Sequence, residues 1–229
     1  MRVSAWLATV LVGVCPLPAS AQYSEPLGQP ASPPRLAPPY IGPEVSGGVL
    51  ARVSSSSNYD DEQPFGAAYG AGLWYAPSER LSFGAHYEYV GLGSGESSTG
   101  TDYVEASYAA HTVWAAGRVY PYLGDGHSIF VGLGVGLVYM HQDAVGVRTS
   151  DVTDPAGTPF KCGHTSSPDV GFRVSTGLSV DIGERLEFVS SVWSSMLRGS
   201  SDVVDGCVPG IGSPITVGVG MGFAYHFGL

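Results

Sequence analysis

Between residues 129 and 139 an apolar side chain occupies every second position: Ile129, Val131, Leu133, Val135, Leu137 and Tyr139. Glycine fills Gly132, Gly134 and Gly136 between them. A period of two belongs to a β-strand with two unlike faces, because successive side chains leave opposite sides of the pleat. In a helix each of those glycines would cost about 1 kcal/mol relative to alanine. The segment is predicted to be a strand with one broad apolar face and one nearly bare face.

The same parity recurs seven more times. Apolar faces are expected at Val45, Val49, Ala51, Val53; at Ala67, Tyr69, Ala71, Leu73, Tyr75; at Leu81, Phe83, Ala85, Tyr87, Tyr89; and at Val104, Ala106, Tyr108, Ala110, Trp114, Ala116. Toward the C-terminus they are Phe172, Val174, Thr176, Leu178, Val180, Ile182; Leu186, Phe188, Val192, Met196; and the odd positions from Ile215 to Leu229. The complementary faces hold Arg52, Trp74, His86, Glu88, Glu105, His111, Arg173, Asp181, Glu187, Trp193 and His226 among small residues. Eight strands with a small, polar second face are predicted.

Connection lengths alternate as regularly as polarity. Short turns fall near Pro77 to Arg80, Tyr122 to His127 and Gly183 to Arg185, whereas long polar connections occupy about 54–66, 91–102, 141–169 and 197–213. A soluble sandwich has no reason to place every long loop at one end, but a transmembrane barrel has short periplasmic turns and long outer loops. Aromatic residues also collect near the strand ends. Tyr69, Tyr89, Tyr139 and Phe172 fall toward the loops, and Tyr75, Phe83, Trp114, Phe188, Tyr225 and Phe227 toward the turns, as two interfacial girdles require. Backbone groups in lipid must all be paired, so the sheet has to close, and eight strands leave an interior that side chains can fill.

The span 45–229 therefore resembles the eight-stranded outer-membrane barrels of the OmpA transmembrane-domain, OmpX and OmpW type: all-β, antiparallel and up-and-down. Its last strand resembles the outer-membrane assembly signal, with Leu229 at the terminus and Phe227, Tyr225 and Phe223 at alternate positions upstream. The resemblance implies a monomeric protein of the Gram-negative cell outer membrane. It implies insertion by the barrel assembly machinery and contact with membrane lipid and lipopolysaccharide. Its expected role is structural, adhesive or interactive, through the outer loops. A porin-like narrow channel for small solutes or hydrophobic molecules is the alternative, and lipid A hydrolysis comes third.

The N-terminus agrees with export. Arg2, the apolar run Trp6 to Val14 and Ala19-Ser20-Ala21 form a signal peptide over residues 1–21, with the mature chain starting at Gln22. A lipoprotein signal at Val12-Gly13-Val14-Cys15 matches its pattern poorly, because Val14 replaces a small residue. Residues 22–44 contain seven prolines and read as a periplasmic linker or disordered tail. A net charge of −10 argues against a nucleic-acid partner. Removing the signal leaves Cys162 and Cys207, an even pair in an oxidising compartment, for which one disulfide between the outer loops is expected.

Four interior charges share one expected height. Arg52, Glu88, Glu105 and Arg173 all fall near the outer ends of their strands, and buried charges persist only when paired. An ion-pair plug that closes the lumen is expected, with an ion-selective gate as the sharper alternative. The outer loops carry Asp60, Asp61, Glu62, Glu96, Asp102, Asp143, Asp151, Asp154, Asp169, Asp202 and Asp205 against Arg148, Lys161 and Arg198, an acidic outward surface. Asp181 and Glu187 are expected at a solvated periplasmic rim.

Catalysis, metal and cofactor binding are not expected. The histidines form no HxxxH arrangement, and there is no GxSxG or phosphate-binding loop. Eight-stranded lipid A deacylases carry a His-x-Ser pair near the C-terminus on the lipid side. Here His226 is followed by Phe227 and Gly228, and its parity turns it inward.

Overall fold

A computed structural model of the chain describes residues 36–54, 61–99, 102–148, 157–198 and 213–229. The expected signal peptide, most of the Pro-rich segment and Cys207 lie outside the described residues. The strands are β1 (Tyr40–Ser54), β2 (Asp61–Gln63), β3 (Phe65–Ser78), β4 (Leu81–Thr99), β5 (Asp102–Gly124), β6 (His127–Arg148), β7 (Thr158–Thr165), β8 (Asp169–Asp181), β9 (Leu186–Met196), β10 (Ile215–Tyr225) and β11 (Phe227–Gly228). Neighbouring strands pair antiparallel in the order β1, β3, β4, β5, β6, β8, β9, β10, and β10 pairs back onto β1 from Glu44↔Ala224 to Ser54↔Ile215. The result is a closed, eight-stranded, up-and-down barrel, with β2, β7 and β11 as short additions to its wall.

Closure leaves the apolar side chains outside. Val49, Leu73, Leu133, Val174 and Met221 are each more than half exposed, an arrangement that water would penalise and hydrocarbon does not. On β3 the outward aromatic residues Tyr69 and Tyr75 are six residues apart, about 20 Å along a tilted strand, which suits an apolar band about 25 Å tall. Phe188 packs edge to face on Phe223 and Tyr225 on Phe227, with centroids 5.5 and 4.9 Å apart, in the opposite girdle. Phe223, Tyr225, Phe227 and Leu229 all face outward, as the C-terminal pattern requires.

Three boundaries differ from the sequence expectation. β1 begins at Tyr40, five residues before Val45, so Glu44 belongs to the barrel wall and not to the Pro-rich segment. Pro43 tolerates this position because it falls between the stretch of β1 paired with β11 and the stretch paired with β10, where no ladder partner on that side needs its missing N–H. The supposed loops 91–102 and 141–169 are largely strand: β4 and β5 run to a hairpin at Thr99↔Asp102, and β6 continues to Arg148 with β7 beside it. Above the membrane a ladder needs no apolar outer face, so alternation fades while pairing persists.

One strand has the opposite parity to that expected. Along β5 it is Ala106, Tyr108, Ala110 and Trp114 that are buried, while Glu105, His111 and Val113 are exposed. Trp114 is thus a lumen residue and no part of a girdle. The reason lies at Arg118, which shares the parity of Trp114: a guanidinium has no partner in hydrocarbon, so position 118 must turn inward and carries 114 with it.

Candidate functional site

The lumen is packed along its length. Its outer half is filled by one apolar cluster that includes Leu50, Leu92, Tyr108, Val138, Met140 and Leu197, with Trp114 and Trp193 beneath. A smaller cluster of Tyr120, Phe130 and Val189 fills the other end. Room for these large side chains comes from the glycines of the bare face. A Cβ placed on Gly218, Gly48 or Gly220 would fall 2.5, 2.7 or 2.7 Å from the Trp193 ring, so the indole lies across β1 and β10 only because those positions are bare.

Two ion pairs occupy the middle. Arg173 on β8 meets Glu88 on β4 through two parallel hydrogen bonds of 2.8 and 3.1 Å, and Trp114 Nε1 donates to the same carboxylate at 3.3 Å. Arg118 on β5 donates to Glu44 on β1 at 2.6 and 2.9 Å. Fork-to-fork pairing of this kind satisfies both carboxylate oxygens and fixes the guanidinium plane. Each cation is also covered by a ring: Arg118 lies 3.7 Å from the Trp74 centroid and Arg173 4.7 Å from that of Trp193. Around the pairs is a small cavity of about 60 Å3, lined also by Ser46, His86, Ser175 and Ser191.

The structure brings Glu88 and Arg173 together and rearranges the other two charges. Arg52 is buried at the outer end of β1, with its guanidinium 5.7 Å from the Tyr108 ring centroid. Glu105 is not in the lumen: it is exposed on the outer face of β5, opposite Val145 and Glu96 in the ladder. The second pair instead uses Arg118 and Glu44, which the sequence reading missed. Glu44 was hidden among prolines and Arg118 by the inverted parity of β5. An isolated charge in each strand, counted before the apolar residues, would have located both.

The periplasmic end holds a third polar contact. His226 Nε2 is 3.0 Å from Glu187 Oε2, both side chains being buried, and Tyr40 stacks on the imidazole at 4.2 Å. Glu187 is therefore a partner inside the rim and not the solvated carboxylate expected beside Asp181. His226 points inward, as its parity predicted. Cys162 lies on β7, opposite Ala144; the pairing expected for it falls on Cys207, outside the described residues. Among the described residues no group of three or more His, Cys, Asp or Glu is placed to hold a metal ion.

No family model matches the sequence, and no curated protein matches it. The fold does match solved structures. Neisserial surface protein A superposes with a TM-score of 0.54 at 12% identity, over 84% of this chain and all of that one. OprG of Pseudomonas aeruginosa is similar over 85% of this chain and 99% of its own (13% identity, TM-score 0.45). Ail, the attachment invasion locus protein of Yersinia pestis, is similar over 80% and 98% (12% identity, TM-score 0.42). The first of these likenesses, together with the closed sheet, establishes the eight-stranded outer-membrane barrel fold.

Proposed function

We propose that this chain is an exported, integral outer-membrane barrel whose role is structural, adhesive or interactive, carried by the acidic outer surface and by the sheet that β2, β4, β5, β6 and β7 raise beyond the membrane. The observation that carries the reading is the combination of an apolar exterior with a packed interior. The first requires lipid, and the second leaves the outward surface as the face on which partners act. Cleavage after Ala21, insertion by the barrel assembly machinery, contact with lipopolysaccharide and a monomeric state belong to the same proposal. So does a Cys162–Cys207 bridge that would fasten neighbouring outer loops.

Heat-modifiable migration tests the membrane reading. Detergent-refolded protein should run faster unboiled than boiled and should be β-rich by circular dichroism; a chain that stays soluble without detergent overturns it. A narrow channel is the second reading, favoured by the cavity around the ion pairs. Planar-bilayer recordings separate the two: a packed lumen predicts no steady conductance, and large steady pores in the unmodified protein would decide for the channel.

A further inference from the structure

The outer surface of the raised sheet carries a constellation unconnected with the lumen. His141 and Asp143 leave the same face of β6, and His141 Nε2 is 3.0 Å from Asp143 Oδ2. Across the ladder His141 pairs with Thr165 of β7, and its other ring nitrogen, Nδ1, is 2.9 Å from Thr165 Oγ1. Hydroxyl, imidazole and carboxylate are thus joined in series. With Nε2–H donated to the carboxylate, Nδ1 keeps its lone pair for the threonine proton, which is the relation of a nucleophile, its base and the group orienting the base. None of the three is buried, and none belongs to the apolar clusters of the lumen.

Depth gives the arrangement a substrate. Tyr69, Tyr89, His111 and Tyr139 stand opposite one another across β3, β4, β5 and β6, forming one outward row. The rings of Tyr69 and Tyr89 stack at 4.9 Å, and Tyr89 meets His111 edge-on at 5.3 Å. On β6 the outward apolar run from Ile129 to Leu137 ends at Tyr139, an aromatic of the kind that stands where hydrocarbon gives way to headgroups. His141 is two residues beyond Tyr139, about 7 Å further along the strand, and Thr165 is opposite it. That is the depth at which acyl chains are joined to headgroups through esters. His111 adds a donor on the same face. Tyr87 Oη is 2.7 Å from its Nδ1, so with the phenol donating, the imidazole proton sits on Nε2, one diagonal step from His141.

We propose that Thr165, His141 and Asp143 form an exterior site that hydrolyses carboxylic esters of membrane lipids. Thr165 Oγ adds to the ester carbonyl carbon while its proton passes to His141 Nδ1. The alkoxide leaves as the ester C–O bond breaks and takes that proton, leaving acyl-Thr165. Water then adds to the acyl carbon, gives its proton to His141, and the bond to Thr165 Oγ breaks with return of the proton, releasing a fatty acid. His226, which lacks the following serine, plays no part. The inference rests on the outward placement of this sheet in the outer membrane.

The test uses the refolded barrel in phospholipid vesicles with and without lipopolysaccharide, with fatty acid release read by mass spectrometry, and a soluble p-nitrophenyl ester in detergent. Release from lipopolysaccharide vesicles alone assigns the glycolipid ester; release from both assigns acyl esters generally. His141→Ala and Thr165→Val should each lower the rate at least about a hundredfold, whereas Thr165→Ser should retain it. A fluorophosphonate probe should label Thr165 in the unmodified protein and not in His141→Ala. All variants should keep heat-modifiable migration, because the side chains are exposed. An inserted, unmodified barrel that releases no fatty acid and takes no label overturns the proposal, as does equal release by the variants. Failure to insert overturns the membrane reading instead, and the soluble ester then still decides the chemistry.

Discussion

Glu88→Ala strands the donors of two side chains at once. The carboxylate accepts from Arg173 Nη1 and Nη2 and from Trp114 Nε1, its side chain is 5% exposed, and that of Arg173 is 13% exposed. Removing one partner of a buried pair costs about 3–5 kcal/mol, because a charge is left uncompensated, and an unsatisfied indole N–H adds about 1 kcal/mol or more. The adjoining cavity lets water reach the guanidinium, which argues for the lower end of the range, about 4 kcal/mol in total with the indole included. Removing both charges together as Glu88→Ala with Arg173→Met should cost less than Glu88→Ala alone, since no charge is stranded and the methionine still packs against Trp193. The assay is reversible denaturant unfolding of the barrel in lipid vesicles, followed by tryptophan fluorescence. A double variant less stable than the single one, or a single loss under 1 kcal/mol, would refute the account of the lumen as a set of obligatory pairs.

Other expectations follow from orientation. Arg118→Ala should destabilise the barrel strongly by stranding Glu44, while the exposed Glu105→Ala should stay within about 0.5 kcal/mol, measured in the same titration. Val135→Arg, on the outward face at mid-strand, should cost roughly 2–4 kcal/mol in vesicles, and unchanged unfolding would contradict the assigned faces. Gly218→Leu should displace the Trp193 indole, seen as a red-shifted emission and lowered stability; an unaltered spectrum would mean that the ring does not lie on that glycine. Thiol titration of the denatured mature protein should find no free cysteine before reduction, and two free thiols would exclude the bridge.

The exterior of this barrel was written in the chain order. Period-two alternation from Val45 to Leu229, with short turns and long connections in strict succession, implies a closed sheet that buries its apolar side chains in lipid, because pleating alone decides which side chains share a face. The structure has the expected facing on every barrel strand except β5. There both faces carry aliphatic and small residues, Ala106 and Ala110 on one and Ala109, Val113 and Ala115 on the other, so alternation had little contrast and a single arginine decided the matter. The raised sheet was likewise illegible, since strands standing in water keep their hydrogen bonds without an apolar stripe.

The interior belonged to tertiary structure. Glu88 and Arg173 are separated by 85 residues and Glu44 and Arg118 by 74, and their meeting depends on strand tilt and on the stagger accumulated around the closed barrel, neither of which a local pattern contains. The same holds outside: His141-x-Asp143 is visible as two side chains on one face, but Thr165 joins them only through the β6–β7 register. Sequence determines which side of the wall a residue occupies; closure of the sheet determines which residue it meets there.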